Sequence, residues 1–459
     1  MKKAYITVFF ALIFMVLMSF LISIFVGIEI NAYKLKSECA YSVAANAILG
    51  EYQSELLEKY DLFYVDTSYK TGVPDYHYVE AHLWEYIEKN LTISPASVEI
   101  VQIVLATDSG GTPYRKQISN YMQDKIGISY IEELSDLFVT ASKEGILQEN
   151  LEVQNFWEKK WKDALVQKEN IPEETWKKIE NHSPIEVSYN IRESFVLNQV
   201  IGENIQISNK VVDTSDFVSN RKLILGSGCE EETDLTDKIY FIAYLFDKFS
   251  HYSEEKHDRV LKYEVEYLLS DSGSDYENLS VVVKKLLAVR EGANLIYLLS
   301  DSDKMSLIKE LSAVLSAIIV SPELEPVFEV LIIGLWSYAE SLNDLKILFN
   351  GGKVSLTKTT ANWATDLEGG LNLGMISKSS EDMGEGMDYK QYLEMLLLFE
   401  DVERITFRSM DLIEMNLREI AGNENFRMDG LAENFLVNLI FEIPEFGSYQ
   451  IVRRFGYNI

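Results

Sequence analysis

Cysteine is scarce in this 459-residue chain: Cys39 and Cys229 are all it has. Two thiols cannot build a disulfide framework, even in an oxidising compartment. One bridge or two free thiols both fit, because sequence does not show whether the two Cα atoms approach. Histidine is thin as well, with five residues. His77 and His82 are five apart and off one helical face. His251 and His257, with Glu254 and Glu255 between them, lack His-Glu-x-x-His spacing. A zinc site needs three or four convergent ligands, so these read as surface histidines, and no metal site is expected. Positive charge is short too: 42 Lys and Arg against 72 Asp and Glu leave −30 and a pI near 4.6. Such a surface repels phosphate backbones, which excludes nucleic acid as an expected partner. It also argues against adsorption of the bulk of the chain to anionic lipid.

Other signatures are missing. The glycine pairs at 110, 351 and 369 carry no Gly-Lys-Ser/Thr or dinucleotide pattern. Gly226-Ser227-Gly228 is not a Gly-x-Ser-x-Gly elbow and has no placed His and Asp. Asp271-Ser-Gly-Ser-Asp275 looks like half a calcium loop, without glycine at the sixth place or glutamate at the twelfth. It reads instead as a capped turn between helices. Among 72 acidic residues a glycosidase pair can always be imagined, so abundance is uninformative. The sequence therefore assigns no catalytic, cofactor-binding or metal-binding residue and no cofactor, and the chain reads as a non-enzyme.

What is there is one long uncharged run. Lys2 and Lys3 precede Ile6–Ile28, 23 residues without a charge, and the first charge after them is Glu29. A helix needs about 20 apolar residues to cross the hydrocarbon core, and a lone spanning segment must be a helix. The run is too long for a signal-peptide core of roughly 7–15 residues. The nearest Ala-x-Ala, Ala45-Asn46-Ala47, lies far beyond it, and Lys36-Ser37-Glu38 before Cys39 is no lipobox. Residues 1–30 are therefore expected to be a cytoplasmic start and a single-pass transmembrane anchor, meeting membrane lipid through residues 6–28. Lys2 and Lys3 place the amino terminus in the cytoplasm and the bulk of the chain outside.

From Glu29 to Leu49 there is neither Pro nor Gly, so the helix is expected to continue. Ile28, Leu35, Leu49, Leu56 and Phe63 recur every seven residues, with Ser42 in the missing place. Val43, Ala47, Tyr52 and Tyr60 widen the stripe. Residues 31–66 thus predict an amphipathic stalk helix. A continuous helix from Ile6 to Tyr60 would span about 80 Å at 1.5 Å per residue. The stripe packs either on its own head or on a partner helix, and the polar Asn46 and Gln53 favour the head.

Thr7-Val-Phe-Phe-Ala-Leu12 resembles the Thr-Val-Glu-Phe-Ala-Leu start of TadE/TadG-like minor pilins of the tight-adherence (Flp) pilus system. A long helix, half membrane and half amphipathic, is the pilin-like arrangement. Phe9 stands where that pattern has glutamate. The later chain resembles a larger uncharacterised family of Gram-positive membrane proteins with the same start. The residues that carry it are Leu49–Phe63, Ala106-Thr-Asp-Ser-Gly-Gly111, Tyr263-Glu-Val-Glu-Tyr-Leu-Leu269, Asp275-Tyr-Glu-Asn-Leu279 and Arg290-Glu-Gly-Ala-Asn-Leu-Ile-Tyr297. The resemblance implies location and context, and no active site.

Residues 67–230 read as a mixed α+β region. Ser97–Ala106 is β-branched and strand-like, and Asp108-Ser-Gly-Gly111 ends it as a turn. Thr112 and Pro113 then open a helix to about Ile126. A second helix, with Glu132 and Glu133 near its start, runs through Leu147. Glu149–Asn181, with Trp157, Trp161 and Trp176, reads as a solvated helical excursion. Ile185–Ile191 and Asn204–Ser208 are strand candidates. Residues 231–459 read as a helical region with C-terminal strands. Helices are expected over Ile239–His251, Lys256–Ser270, from a Ser274–Glu277 capping box to Leu299, and over Tyr389–Ile420. Met305–Val320 and Pro326–Phe349 read as buried core helices broken by Pro322 and Pro326, not as further spans. Gly351–Gly386 reads as a long loop region. Phe435, Val437, Leu439, Phe441 and Ile443 alternate as a strand that Tyr449–Phe455 can pair with.

The fold class expected is α+β, mostly helical, behind a transmembrane helix. The function expected is a membrane-anchored, extracytoplasmic structural or interaction component of a pilus or secretion-type assembly, with other membrane proteins of that assembly as partners. The alternatives are a membrane-tethered hydrolase of envelope polymers and a ligand-binding sensor. The short amino-terminal tail leaves no room for a signalling domain.

Overall fold

The computed structural model describes residues 2–90, 95–143, 145–169, 171–174, 177, 196–201, 206–228, 233–371 and 386–457. The chain is α+β and forms two compact units, each drawn from separate stretches. One takes Met1–Tyr121, Phe217–Asp234 and Ile413–Ile459, and the other takes Met122–Asp216 and Leu235–Leu412.

The first unit begins with α1, Lys2–Leu49, one unbroken helix of 48 residues. At 1.5 Å per residue it is about 72 Å long. It is apolar enough to cross a membrane, and that part is bare in the structure. Ile6, Phe10, Phe14, Met15, Phe20 and Phe25 are all exposed. The helix does not reach Tyr60 as the stalk reading had it. Gly50 closes its last turn through bonds from its N–H to Asn46 O and Ala47 O. After a short break α2, Ser54–Tyr60, follows. Two-residue β1 (Val65–Asp66), α3 (Tyr76–Asn90), β2 (Pro95–Leu105) and α4 (Asp108–Lys125) come next. The hairpin β3 (Leu431–Ile443) and β4 (Gly447–Gly456) completes the unit.

The sheet is antiparallel, and β3 is its middle strand. On one side β3 pairs with β2, from Pro95↔Phe441 to Leu105↔Ala432. On the other it pairs with β4 and, at its start, with β1. The period-two pattern read from Phe435 to Ile443 is the reason: those five side chains share one buried face. That face packs on Val79, Leu83 and Ile87 of α3 and on Ala40, Tyr41, Ala44, Ala45 and Ile48 of α1.

The packed face of α1 corrects the heptad reading. Ile28 and Leu35 are 59% and 66% exposed, while Ala40, Ala44 and Ile48 are at most 3% exposed. Three alanines let the helix approach the sheet, Tyr41 and Ile48 complete the packed face, and Ile28 and Leu35 lie off it. Leu56 and Tyr60 are fully buried, but on α2.

The second unit is helical. The capping box predicted at Ser274 is borne out at its first bond: Ser274 Oγ accepts from Glu277 N at 3.4 Å, and the helix Asp275–Ser300 follows. Glu325–Phe349 is the buried core helix expected, and Ser302–Ile318 starts from an Asp301 cap. Gly292 lies so close to the helix Ile146–Glu169 that an added Cβ would sit 1.9 Å from Asn150 O.

Several elements differ from expectation. The helix expected through Leu147 stops at Lys143, and a new one begins at Ile146. Within that helix Trp157 and Trp161 are buried, because it packs against Asp275–Ser300 and Glu325–Phe349 instead of standing in solvent. The helix expected from Lys256 starts only at Glu264. The one expected over Tyr389–Ile420 is two, Tyr389–Phe399 and Val402–Arg418, divided by Glu400 and Asp401. Residues 206–208 are not strand. Trp176, Ile185–Ile191, Cys229 and residues 372–385 lie outside the described residues, whereas Cys39 is an exposed free thiol.

Candidate functional site: the clamp between anchor and sheet

The sequence named no site residue, and the structure gathers its most specific polar contacts in the first unit where α1 ends. Gly50 stops the helix, and Glu51 turns inward at once. Its carboxylate accepts from Tyr69 Oη at 2.6 Å and Tyr86 Oη at 2.5 Å. His82 Nδ1 lies 3.1 Å from both carboxylate oxygens. These bonds hold the two phenols protonated. Burial, then Glu51, push Tyr69 far up, and the hydrogen bond to Glu51 pushes Tyr86 up to about 12.

Around this hub six more residues of the Leu49–Phe63 stretch find a tie. Tyr52 and Phe63 meet edge to face, and Phe63 also contacts the Tyr457 ring. Tyr457 Oη donates to Leu49 O, a carbonyl left over at the helix end, at 2.7 Å. Gln53 N donates to Tyr64 O, and Gln53 Nε2 to Asn423 Oδ1. Asn416 Nδ2 donates to Tyr60 Oη, and Tyr121 Oη to Asp61. Further up α1, Glu38 accepts from Tyr449 Oη at 2.7 Å and pairs with Arg453 at 3.5 Å. Lys34 sits over the Tyr449 ring, and Tyr41 meets Phe455, which stacks on Phe435. The arrangement fixes the direction in which the helix leaves the sheet.

The stretch Ala106–Gly111 is a second tie. Asp108 accepts from Leu105 N, Gly226 N and Gly228 N at 2.9–3.2 Å. Ser109, Gly110 and Gly111 all have positive φ (+49°, +67° and +77°), and a regular helix starts only where Thr112 and Pro113 were expected to open it. Gly226-Ser227-Gly228 is a strap on the β2 edge. Ser227 N donates to Ile103 O, and Ser227 Oγ accepts from Ile103 N. A Cβ on Gly226 would lie 2.3 Å from Asp108. A cleft of about 330 Å³ runs beside the strap, lined by Pro74, Tyr76, Val101 and Leu225, with Asp75 its single carboxylate.

In the second unit the remaining stretches do the same work. Glu264 accepts from Ser250 N and Oγ, and Glu266 from Tyr252 N and Tyr389 Oη. Burial raises Glu266 to about 7. Asp275 accepts from Lys262 N, Tyr263 N and Ser208 Oγ. Arg290 holds Asp344 at 3.0 Å together with Ser355 O, Leu356 O and Tyr392 Oη. Lys358 joins Asp344 and Glu340, both at 2.6 Å. These charges are buried and held by hydrogen bonds, and Arg290, Lys358, Asp344 and Glu340 are ion-paired as well, which is how an interior tolerates them. They fasten loops and do not converge on one cleft.

The histidines separate. Exposed His77 pairs with the partly buried Glu80, and that hydrogen bond raises the pKa of His77. His257 is exposed, and His182 lies outside the described residues. His251, read as a surface residue, is 2% exposed, and burial lowers it to about 4. No group of three His, Cys, Asp or Glu suited to a metal occurs among the described residues.

The molecule is thus a helix-led α+β protein whose apolar first helix is clamped to a sheet and whose interior is tied by polar contacts. The model of a family of unknown function, DUF5702, matches residues 174–443, more than half of the chain, and the protein belongs to that family. The match includes Tyr263–Leu269, Asp275–Leu279 and Arg290–Tyr297 and begins well after the anchor. No curated protein and no solved structure matches the chain.

Proposed function

We propose that the protein is a single-pass, membrane-anchored structural component of a pilus or secretion-type surface assembly. In this reading the amino terminus is cytoplasmic, the rest is extracytoplasmic, and the TadE/TadG-like start is the signature of the assembly. The observation that supports it is the division of α1: a bare apolar half of membrane-spanning length, then a half packed on an antiparallel sheet. The clamp at Glu51 suits a part that must present its sheet at a set angle, and the role is mechanical and not catalytic. Phe9 has no charge to neutralise a neighbouring amino terminus, so the chain keeps Lys2 and Lys3 and remains in the bilayer as an accessory.

The test uses the exposed Cys39 in a Cys229→Ser background. A membrane-impermeant maleimide on intact, wall-stripped cells should label Cys39. Membrane crosslinking should then capture other envelope proteins of the assembly, and amino-terminal sequencing should find Met1 or Lys2. Labelling only after lysis would overturn the orientation. A mature start at Tyr5 in sheared filaments would overturn the accessory role.

A further inference from the structure

The second unit holds a cavity of about 520 Å³ whose wall has the wrong charge for so acidic a chain. Four of its eleven lining residues are Lys or Arg, against 42 in 459 for the whole chain. Lys210, Lys256, Arg259 and Lys262 face Glu255 and Asp258 there, a net of +2 from four minus two. The cations are placed by the protein. Lys210 Nζ donates to Arg259 O, and Lys256 Nζ to Phe246 O and Asp247 O. Arg259 Nη2 donates to Lys248 O, its Nε stands 3.7 Å from the buried Glu264 carboxylate behind the wall, and Lys262 meets Glu255 at 3.1 Å. An ammonium has three N–H donors, so these bonds leave each of the three lysines at least one to give a guest. Burial already holds the pKa of Lys256 below its ordinary value, a cost that an anion in the cavity would offset.

We propose that this cavity binds a phosphate ester through Lys210, Lys256, Arg259 and Lys262. A phosphate monoester carries about −1.5 to −2 at neutral pH, opposite in sign to the charge of the lining residues. Ligand sites of roughly 300–1,000 Å³ hold small organic molecules, so there is room for the group that the phosphate esterifies. The proposal concerns the second unit alone and is independent of the membrane reading.

Isothermal titration of the detergent-solubilised full chain with glycerol 3-phosphate, and separately with inorganic phosphate, tests it. Saturable binding of the ester is expected, weakened by added salt. The double variant Lys210→Gln, Lys262→Gln should weaken it about tenfold or more, with an unchanged melting temperature in the absence of ligand. Glu255→Gln, which frees Lys262, should tighten it. Tighter binding of the ester than of inorganic phosphate supports the proposal as stated. Inorganic phosphate binding with the ester excluded, no heat with either, or an affinity that the variants leave unchanged would overturn it.

Discussion

At the scale of single residues, Glu51 decides most. It takes three donors from residues 18 to 35 positions away, so replacing it by glutamine removes the charge and one of the two acceptor oxygens that they share. Glu51→Gln should lower unfolding free energy in denaturant by about 1–2 kcal/mol. Tyr86 should fall from about 12 toward its ordinary 10, which ultraviolet titration reads directly. Two buried groups set opposite pH slopes. His251 titrates at about 4 folded against 6.5 ordinarily, so its contribution is complete above about pH 6.5 and is lost as pH falls toward 4. Glu266 titrates at about 7 against 4.5, so its contribution is complete below 4.5 and is lost as pH rises through 7. Glu266→Gln removes one of the groups that oppose His251. Its stability should therefore fall more steeply than that of the wild type between pH 6.5 and 4.5. Parallel melting curves for the two proteins would count against this. The burial of neither residue was legible in the sequence. His251 lies among Ser250, Tyr252, Ser253 and Glu254, a polar neighbourhood, and its burial comes from Phe246 and the packing around it.

At the scale of elements, the sequence was most readable where the physics is local. The β3 alternation, the β4 partner strand, the Ser274 cap and the Thr112-Pro113 helix start are all present. It misled on α1 because the sevenfold pattern weighs large side chains, and three of the five side chains on the buried face are alanines. Ala44→Leu should overpack that face and cost about 1–3 kcal/mol, whereas Leu35→Ala should change stability by no more than about 0.5 kcal/mol. Thermal unfolding of both variants separates the two faces, and the reverse order of effects would restore the original stripe. The loop ties were hidden for a different reason. Arg290 and Asp344 are 54 residues apart, and only the packing of their two helices makes them partners.

At the scale of the whole molecule, the class was legible and the assembly of the sheet was not. β2 and β3 are separated by more than 300 residues, and no period or turn signal spans that distance. The apolar run of α1 was readable because a span of lipid sets the length that such a run must reach. Its junction with the sheet has a consequence of phase. With no Pro or Gly between Glu29 and Leu49, α1 carries angle as well as distance. Each inserted residue turns the apolar span by about 100° relative to the sheet, and seven bring it back to within about 20° while lengthening the rod by about 10 Å. Two alanines added after Asn31 should therefore abolish crosslinking to envelope partners, and seven should restore it. Equal capture by both insertions would mean that the anchor works as a tether, indifferent to azimuth.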